Sequence, residues 1–458
     1  MKKISIVLIF IVFTSCVSFK PNIEIKKPSD NISTFDTNWW YVFNDNKLNN
    51  LIEMSFRENF DIKSAIKRLE QANITFKQSS SSNYPNVNLN ASTTLTKSDT
   101  QKSGESSVDS YALGLTLSYE IDLFNKIKSA EKSAEFSYLT TKENLKTLLL
   151  SLSAQIAENY FAIISINEKI KITEDQLNTN EAILKVLVER YKNSSVSITD
   201  VLKQKQNIEN IKDSLTALKL NRQIYFNKLK ILTGGNEVAD LGIDNTLMLK
   251  PINFDEINFD VVMNRPDVLS KYYQIESAAW DVSAAKANRL PSLTLSSSFT
   301  YSSTEINTIF ENWSLNLIAN LLAPVFDAGK RKLEVEKTKK ILEEKIFDYK
   351  NTLLTAYSEI SDSVITEKKY YESVDYIKNE ISLISEILTK QRERYLSGDT
   401  DFSIYLNDQI SLYTKKKELV DLKYNIIKNR IAFYKSIGGK WIDNSVNEIL
   451  AGAENGKQ

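Results

Sequence analysis

Tyr191-Lys-Asn-Ser-Ser-Val-Ser-Ile-Thr-Asp-Val-Leu202 recurs downstream as Tyr395-Leu-Ser-Gly-Asp-Thr-Asp-Phe-Ser-Ile-Tyr-Leu406. Positions 191 and 395 lie 204 residues apart. The same offset joins Gly234-Gly235 to Gly438-Gly439, and Asn125-Lys126 to Gly329-Lys330. Self-similarity at one fixed offset means that a single structural unit occurs twice.

Upstream of Tyr191, an apolar residue recurs every seventh position: Leu149, Ile156, Ile163, Ile170, Leu177 and Leu184. The second copy carries Leu353, Ile360, Glu367, Val374, Ile381 and Leu388 before Tyr395, so only Glu367 breaks the stripe. A sustained seven-residue repeat marks helices packed along a coiled-coil seam. A helix from Lys126 to Tyr191 would be about 100 Å long, too long for a compact domain. A rod-like scaffold fits the stripe, and the stripe alone does not exclude it. Glu367 reads as a register device, as a partly solvated charge, or as a group facing a lumen.

Each copy reads as a lead helix, two strands, a long helix, a turn and a partner helix. The strands show where the period changes to two. After Pro85, Val87, Leu89, Ala91 and Leu95 alternate with Asn88, Asn90, Ser92 and Thr94. Tyr111 to Tyr119 alternates Leu113, Leu115 and Leu117 with Gly114, Thr116 and Ser118. After Pro291, Leu293, Leu295, Phe299 and Tyr301 alternate with Thr294, Ser296, Ser298 and Thr300. Trp313, Leu315, Leu317 and Leu321 then alternate with Ser314, Asn316 and Asn320, while Ile318 and Leu322 fall on the polar side. These runs approach the ~10 residues that a tilted transmembrane strand needs. A half-buried soluble sheet shows the same alternation. A spanning sheet cannot leave its edges open, and known barrels need at least about eight strands, so several chains must share one.

Composition agrees with long helices. There are 11 Gly and 7 Pro, with no proline between Pro85 and Pro251 or after Pro324. Histidine is absent and Cys16 is the single cysteine, which removes disulfides, Cys-based metal clusters and the commonest general base. The net charge of +0 offers no basic nucleic-acid surface. No nucleophile motif, phosphate loop or metal spacing occurs, so no enzymatic activity, cofactor or metal is expected.

The N-terminus reads as an address. Met1-Lys2-Lys3 is basic, Ile4 to Phe13 is almost wholly apolar, and Phe13-Thr14-Ser15-Cys16 follows. The apolar stretch is too short to span a bilayer as a helix and has the layout of a secretory signal. Cys16 sits where a bacterial lipobox places the acylated cysteine. An ordinary secreted protein cut nearby is the alternative.

Several motifs resemble those of the TolC-type outer-membrane efflux proteins, in the lipoprotein branch that serves resistance-nodulation-division pumps. They are Tyr119-Glu-Ile-Asp-Leu-Phe124, Asn264-Arg-Pro-Asp-Val268, Ala323-Pro-Val-Phe-Asp-Ala-Gly-Lys-Arg331 and the stretch from Tyr395 to Gln409. Asn125 stands where the family often has glycine, and Ser194 stands opposite Gly398. The resemblance implies a mainly α fold with a transmembrane β part. It also implies a homotrimer whose twelve-strand β-barrel continues into a twelve-helix periplasmic α-barrel. The implied partners are a periplasmic adaptor, an inner-membrane transporter and outer-membrane lipid. The implied role is a passive exit channel for drugs, toxic compounds or metal ions. The same channel serving type I protein secretion is the second reading. The expected location is the outer membrane, anchored through Cys16, with a long periplasmic extension.

The expected organisation is a signal peptide (1–15), an anchor and collar segment (16–55), repeat one (56–235), a linker (236–264), repeat two (265–438) and a tail (439–458). Within repeat one the lead helix runs from Phe56 to Ser79. The strands cover about 86–97 and 110–120, and the helices about 125–191 and 198–232. In repeat two the strands cover about 292–302 and 312–322, and the helices about 330–394 and 402–437. By the resemblance, the turns form a periplasmic tip where Tyr191, Asp200, Val201, Leu202, Tyr395, Gly398, Tyr405 and Leu406 dock the adaptor. Asp399 and Asp401 lie near the family's acidic pore ring, where three-fold repetition would favour cations. Helix capping is the plainer reading of both. Tyr119, Tyr301 and Trp313 read as membrane-interface anchors or core aromatics. Trp39-Trp40 reads as packing the collar or the membrane surface.

Overall fold

The computed structural model describes residues 19–23, 25, 38–100, 104–236, 259–439 and 441–455. Cys16, the signal peptide and most of the linker lie outside the described residues. The helices are α1 (Asn46–Glu58), α2 (Phe60–Ser81), α3 (Lys126–Lys192), α4 (Ile198–Leu232), α5 (Pro266–Ala287), α6 (Lys330–Ser397), α7 (Phe402–Ile437) and α8 (Trp441–Asn455). The strands are β1 (Asn86–Thr100), β2 (Gly104–Ile121), β3 (Ser292–Ser303) and β4 (Trp313–Leu322). Contacts divide the chain into two units, each drawing on both copies of the repeat. The first holds 1–27, 67–143 and 269–351; the second holds 28–66, 144–268 and 352–458.

The first unit contains the sheet, antiparallel in the order β1-β2-β3-β4. Its register sorts the side chains. Directly paired residues share a face. Leu89, Leu115, Phe299 and Leu315 form one row, and Val87, Leu117, Ser297 and Leu317 form the next. The opposite face carries Asn90, Gly114, Thr300 and Ser314, then Asn88, Thr116, Ser298 and Asn316. Ile318 falls in this polar set, paired with Ser296. Strands β1 and β2 run longer than the alternation indicates. Thr94 to Thr100 pairs only with Gly104 to Ser110, as a hairpin beyond the edge of β3. Beyond Lys97 and before Ser110 only Val108 is a large apolar residue, so no alternation marks those stretches as strand. Helices α3 and α5 approach through small side chains: Ser129 donates to Ser283 at 2.9 Å, and Ser133 meets Ser277 at 3.0 Å.

The second unit is helical. The expected lead helix from Phe56 is in fact two helices, broken at Asn59. The Asn59 carboxamide oxygen accepts from the Asp61 and Ile62 amides at 2.8 and 3.2 Å, which caps α2. Its Nδ2 donates to the Leu232 carbonyl at 2.9 Å, joined by Ser55 Oγ at 2.8 Å. The last carbonyl of α4 is thereby satisfied. At the same offset, Ser436 O near the end of α7 accepts from buried Arg265 at 3.1 Å. Arg265 also grips Asp267 and Glu359, at 2.7 and 2.6 Å. Equivalent helix ends are thus closed by different chemistry in the two copies.

The tail expected after Gly438 contains α8, whose Trp441, Ile442 and Val446 are buried. Trp441 lies edge-on to Trp40, with centroids 4.9 Å apart. Trp39 and Trp40 therefore belong to the interior of this unit, and the Trp39 indole donates to Ser153 at 3.2 Å. Tyr160 Oη donates to Asp45, the N-cap of α1, at 2.5 Å. The linker reading as irregular ends in a 3-10 turn, Phe259–Asn264. Helix α3 is long and apolar enough to cross a membrane, yet 78% of its most apolar window is buried within the protein. It is a core helix.

Glu367 corrects the partly solvated and lumen-facing readings. It is 1% exposed and pairs through both oxygens with Arg430, itself 3% exposed. One of the two bonds, from Nε, measures 3.0 Å. Asn429 braces the site by donating to the Ser363 carbonyl at 2.8 Å.

Gly234 follows α4 with φ of +75°, and a Cβ there would stand 2.5 Å from the Glu58 carbonyl oxygen. Gly234→Ala is expected to lower stability by about 2–4 kcal/mol, from left-handed strain plus a backbone clash. A thermal melt of the purified variant checks this; a melt unchanged from the parent would show that the helix end can move away.

Candidate functional site

Three features of the surface bear on function: the sheet, two helix faces and the tip turns. The apolar face of the sheet is bare. Leu89 is 69% exposed, Trp313 64% and Leu317 78%. No strand pairs with the outer edge of β1 or of β4 among the described residues. Aromatic side chains gather at one level: Trp313 pairs with Tyr301, whose ring lies 5.3 Å from Phe310 and 5.2 Å from Phe299. Tyr119 stands near the other end, opposite Leu295. The polar face carries Asn, Ser, Thr and Gly without a charge in its central rows, and Asn90 donates to Thr116 at 2.9 Å. Apolar outside, aromatic at the margins and polar within is the arrangement of a membrane β-barrel wall.

Two helix faces of the second unit are also unpartnered. Leu354, Ile365, Tyr376 and Leu383 of α6 are exposed. Their spacings of 11, 11 and 7 residues return to within about 20° of one line at 100° per residue. Leu220, Ile224 and Ile231 of α4 are exposed as well. Apolar stripes of this kind mark contact surfaces rather than solvated faces.

At the tip, only one of the two turns leads into a side-chain-capped helix. Ser197 caps α4 by accepting from the Thr199 amide at 3.2 Å. Ser194 has φ of 56° and Gly398, at the 204 offset, 85°. Asn125 and Gly329 match in the same way, at 57° and 83°. Both copies need left-handed backbone at these positions, which glycine adopts freely and asparagine tolerates. Val201, Tyr405 and Leu406 are buried with Leu187 and Phe402 in a small apolar core. Tyr395 packs on that core, stacked on Tyr405 at 6.2 Å, with Arg190 5.1 Å over its ring. Tyr191, Leu202 and Gly398 are exposed, and Asp200 is half-buried. Asp399 and Asp401 are exposed. Asp401 occupies the N-cap of α7 without a capping bond from its side chain, and Asp399 accepts from Ser397 Oγ at 2.8 Å.

The described chain nearest Cys16 is held against α5. Lys286 donates to the Phe19 carbonyl at 3.0 Å. Lys20 pairs with Glu276 and lies 5.2 Å over the Trp280 ring.

Sequence reasoning missed the role of Asn59, a polar residue inside a helical pattern that only its partners set apart.

Comparison with known proteins agrees with this geometry. The family model described as outer membrane efflux protein matches residues 51–235 and 260–439. The chain is 24% identical to the probable outer membrane lipoprotein SilC of Salmonella typhimurium, over 97% of this chain and 99% of that one. It is 25% identical to the pyoverdine export outer membrane protein OpmQ of Pseudomonas aeruginosa, over 88% and 87%. The crystal structure of the Campylobacter jejuni CmeC outer membrane channel superposes with a TM-score of 0.84 at 22% identity, covering 94% of this chain and 98% of that one.

Proposed function

This chain belongs to the outer membrane efflux protein family, and we propose that three copies of it close into one passive exit duct of a tripartite pump. The bare apolar sheet with two open edges carries this reading. In hydrocarbon, unpaired edge amides and carbonyls cost several kcal/mol each, so β4 of one copy must pair with β1 of the next. Four strands per chain and a minimum of about eight per barrel require more than one copy; three give the twelve strands that the family resemblance implies. The exposed stripes on α6 and α4 supply the matching helical contacts. The duct performs no reaction. A periplasmic adaptor and an inner-membrane transporter deliver drugs, toxic compounds or metal ions to it. Cys16 is acylated, and the Phe19 to Ile23 segment holds the anchor beside α5.

The tip is the gate and the docking end. Tyr191, Asp200, Leu202 and Gly398 meet the adaptor, over a core of Val201, Tyr395, Tyr405 and Leu406. Asp399 and Asp401, repeated three-fold, ring the constriction. Their exposure, and the absence of a capping bond from Asp401, support this over the capping role.

Planar-bilayer recording tests the proposal. The purified protein is expected to run as a trimer by native mass spectrometry and to conduct ions. The double variant Asp399→Ala, Asp401→Ala is expected to conduct more and to lose cation preference, with its reversal potential in a salt gradient moving toward zero. A water-soluble monomer with no conductance in either form would rule out the duct.

A further inference from the structure

The two hairpins of the sheet are related by fixed steps along the chain. Helix α5 and β3 follow α2 and the start of β1 by 206 residues: Pro266–Ala287 matches Phe60–Ser81, and Pro291 matches Pro85. From β2 onward the step is 204. Moving the pair Asn86 and Ser118 forward by these two steps gives Ser292 and Leu322, which is the observed register of β3 on β4. The two hairpins therefore match pair for pair. Only the pairing of β2 with β3 lacks a counterpart within the described chain. Resting on the assembly proposed above, we propose that its counterpart lies between copies: β4 pairs with β1 of the next copy in the register that β2 keeps with β3. The pair Thr116 and Ser298 becomes Asn320 against Ser92 of the next copy, and Ala112 and Ser302 becomes Asn316 against Thr96. The turn at Val325 and Phe326 then docks on Tyr84 and Pro85 of that copy.

Faces, lengths and exposure agree with this register. It sets Leu317 opposite Leu95, Leu321 opposite Ala91 and Val325 opposite Val87, so the apolar face continues across the seam. A slip of one residue would set each of these β4-side residues against an Asn, Ser or Thr. The overhang of β1 also finds a partner. Trp313 to Leu322 falls against Asp99 to Asn90, wholly within β1. Placed flush along the row of Ala91, Leu113, Tyr301 and Trp313, β4 would instead run past Asn86, the start of β1, and leave the overhang bare. At the foot of the sheet, Ile121 to Phe124 share the wall of a cavity of about 50 Å³ with Leu290, Pro291 and Ser292, and all seven are half-buried. Their counterparts are bare: Val325 is 95% exposed, Phe326 89% and Tyr84 73%. Exposed apolar side chains in succession mark a contact surface. A second copy carries the fitting surface, because the first hairpin already meets the second in this way inside one chain. A head-to-tail contact that repeats one rotation closes into a ring.

The test places cysteines on the polar face of the full-length chain, where reagent in the lumen reaches them. Asn320→Cys with Ser92→Cys, and Asn316→Cys with Thr96→Cys, are the matched pairs, with Cβ atoms about 5 Å apart across the seam. Exchanging partners gives Asn320→Cys with Thr96→Cys, and Asn316→Cys with Ser92→Cys, each four residues out of step and about 14 Å apart. A thiol cross-linker of the matched span is expected to yield covalent trimers at least tenfold more efficiently from the matched pairs than from the exchanged ones. The parent chain measures any background from Cys16. The variant Val325→Asp, Phe326→Asp is expected to lower the trimer fraction in detergent at least fivefold by native mass spectrometry. Retention of the parent fraction would mean that the turn meets lipid or water, and overturns its docking on a second copy. Trimers that link better through the exchanged pairs, or through neither set, overturn the register and leave the duct standing. Absence of a trimer in the parent chain strikes the duct itself.

Discussion

Leu317→Arg is expected to keep the protein out of the outer membrane. Leu317 occupies a central row of the apolar sheet face, which continues through Ser297 to Leu117 and Val87, and is among the most exposed side chains of the strands. An arginine on the lipid face near the bilayer midplane costs about 2–4 kcal/mol per copy, and the proposed three-fold barrel would incur that cost three times. The sum rivals the whole stability of an ordinary domain, roughly 5–15 kcal/mol. Asn316→Arg, one residue away, is the matched control. Its side chain shares the polar face with Ser298, where water solvates a charge. That variant should insert and trimerise, with conductance changed in size or ion preference. Membrane fractionation and cross-linking read both outcomes. Normal insertion of Leu317→Arg together with failure of Asn316→Arg would invert the two faces.

Glu367→Ala is expected to cost about 3–5 kcal/mol, because it leaves the Arg430 guanidinium buried without a counter-charge. Arg430→Leu should do comparable harm from the other side. The double variant Glu367→Ile, Arg430→Phe should recover most of the loss. Positions 204 residues earlier hold Ile163 and Phe226, so the repeat already contains an apolar solution to the same place in the seam. Replacing a buried ion pair with packed apolar side chains is often neutral or stabilising by about 1–4 kcal/mol. Thermal melts of the parent and the three variants check these outcomes. If the double variant melts as low as the singles, the pair would be irreplaceable in this surrounding, and the pseudo-symmetry of the two copies would not extend to their interiors.

These two sites differ in how far the sequence exposed them. Alternation in the strands is a local property, and it named both faces of the sheet before any pairing was known. Register then had only to bring like faces together. Glu367 stood out as a break in a stripe, but its partner is 63 residues away on another helix. Nothing local to Arg430 marks it as the answering charge. The same limit applies to Asn59, whose value lies in reaching the carbonyl of Leu232, and to α8. Its Trp441 reads as part of an ordinary tail until Trp40 is placed against it. At the tip, the sequence singled out Val201, Tyr405 and Leu406, but only packing separates them, as core, from exposed Tyr191 and Leu202.

The sequence by itself determined the duplicated unit, the long helices and their turns, and the two-faced strands. Period, proline spacing and left-handed turn positions are properties of neighbours along the chain, and they act before the chain folds. The tertiary structure alone decided which charges are paired, which helix ends are closed by which side chains, and which residues of the turns pack as core. Those outcomes depend on distances between residues far apart in sequence, and a buried polar group is stable or costly only according to what stands within about 3 Å of it.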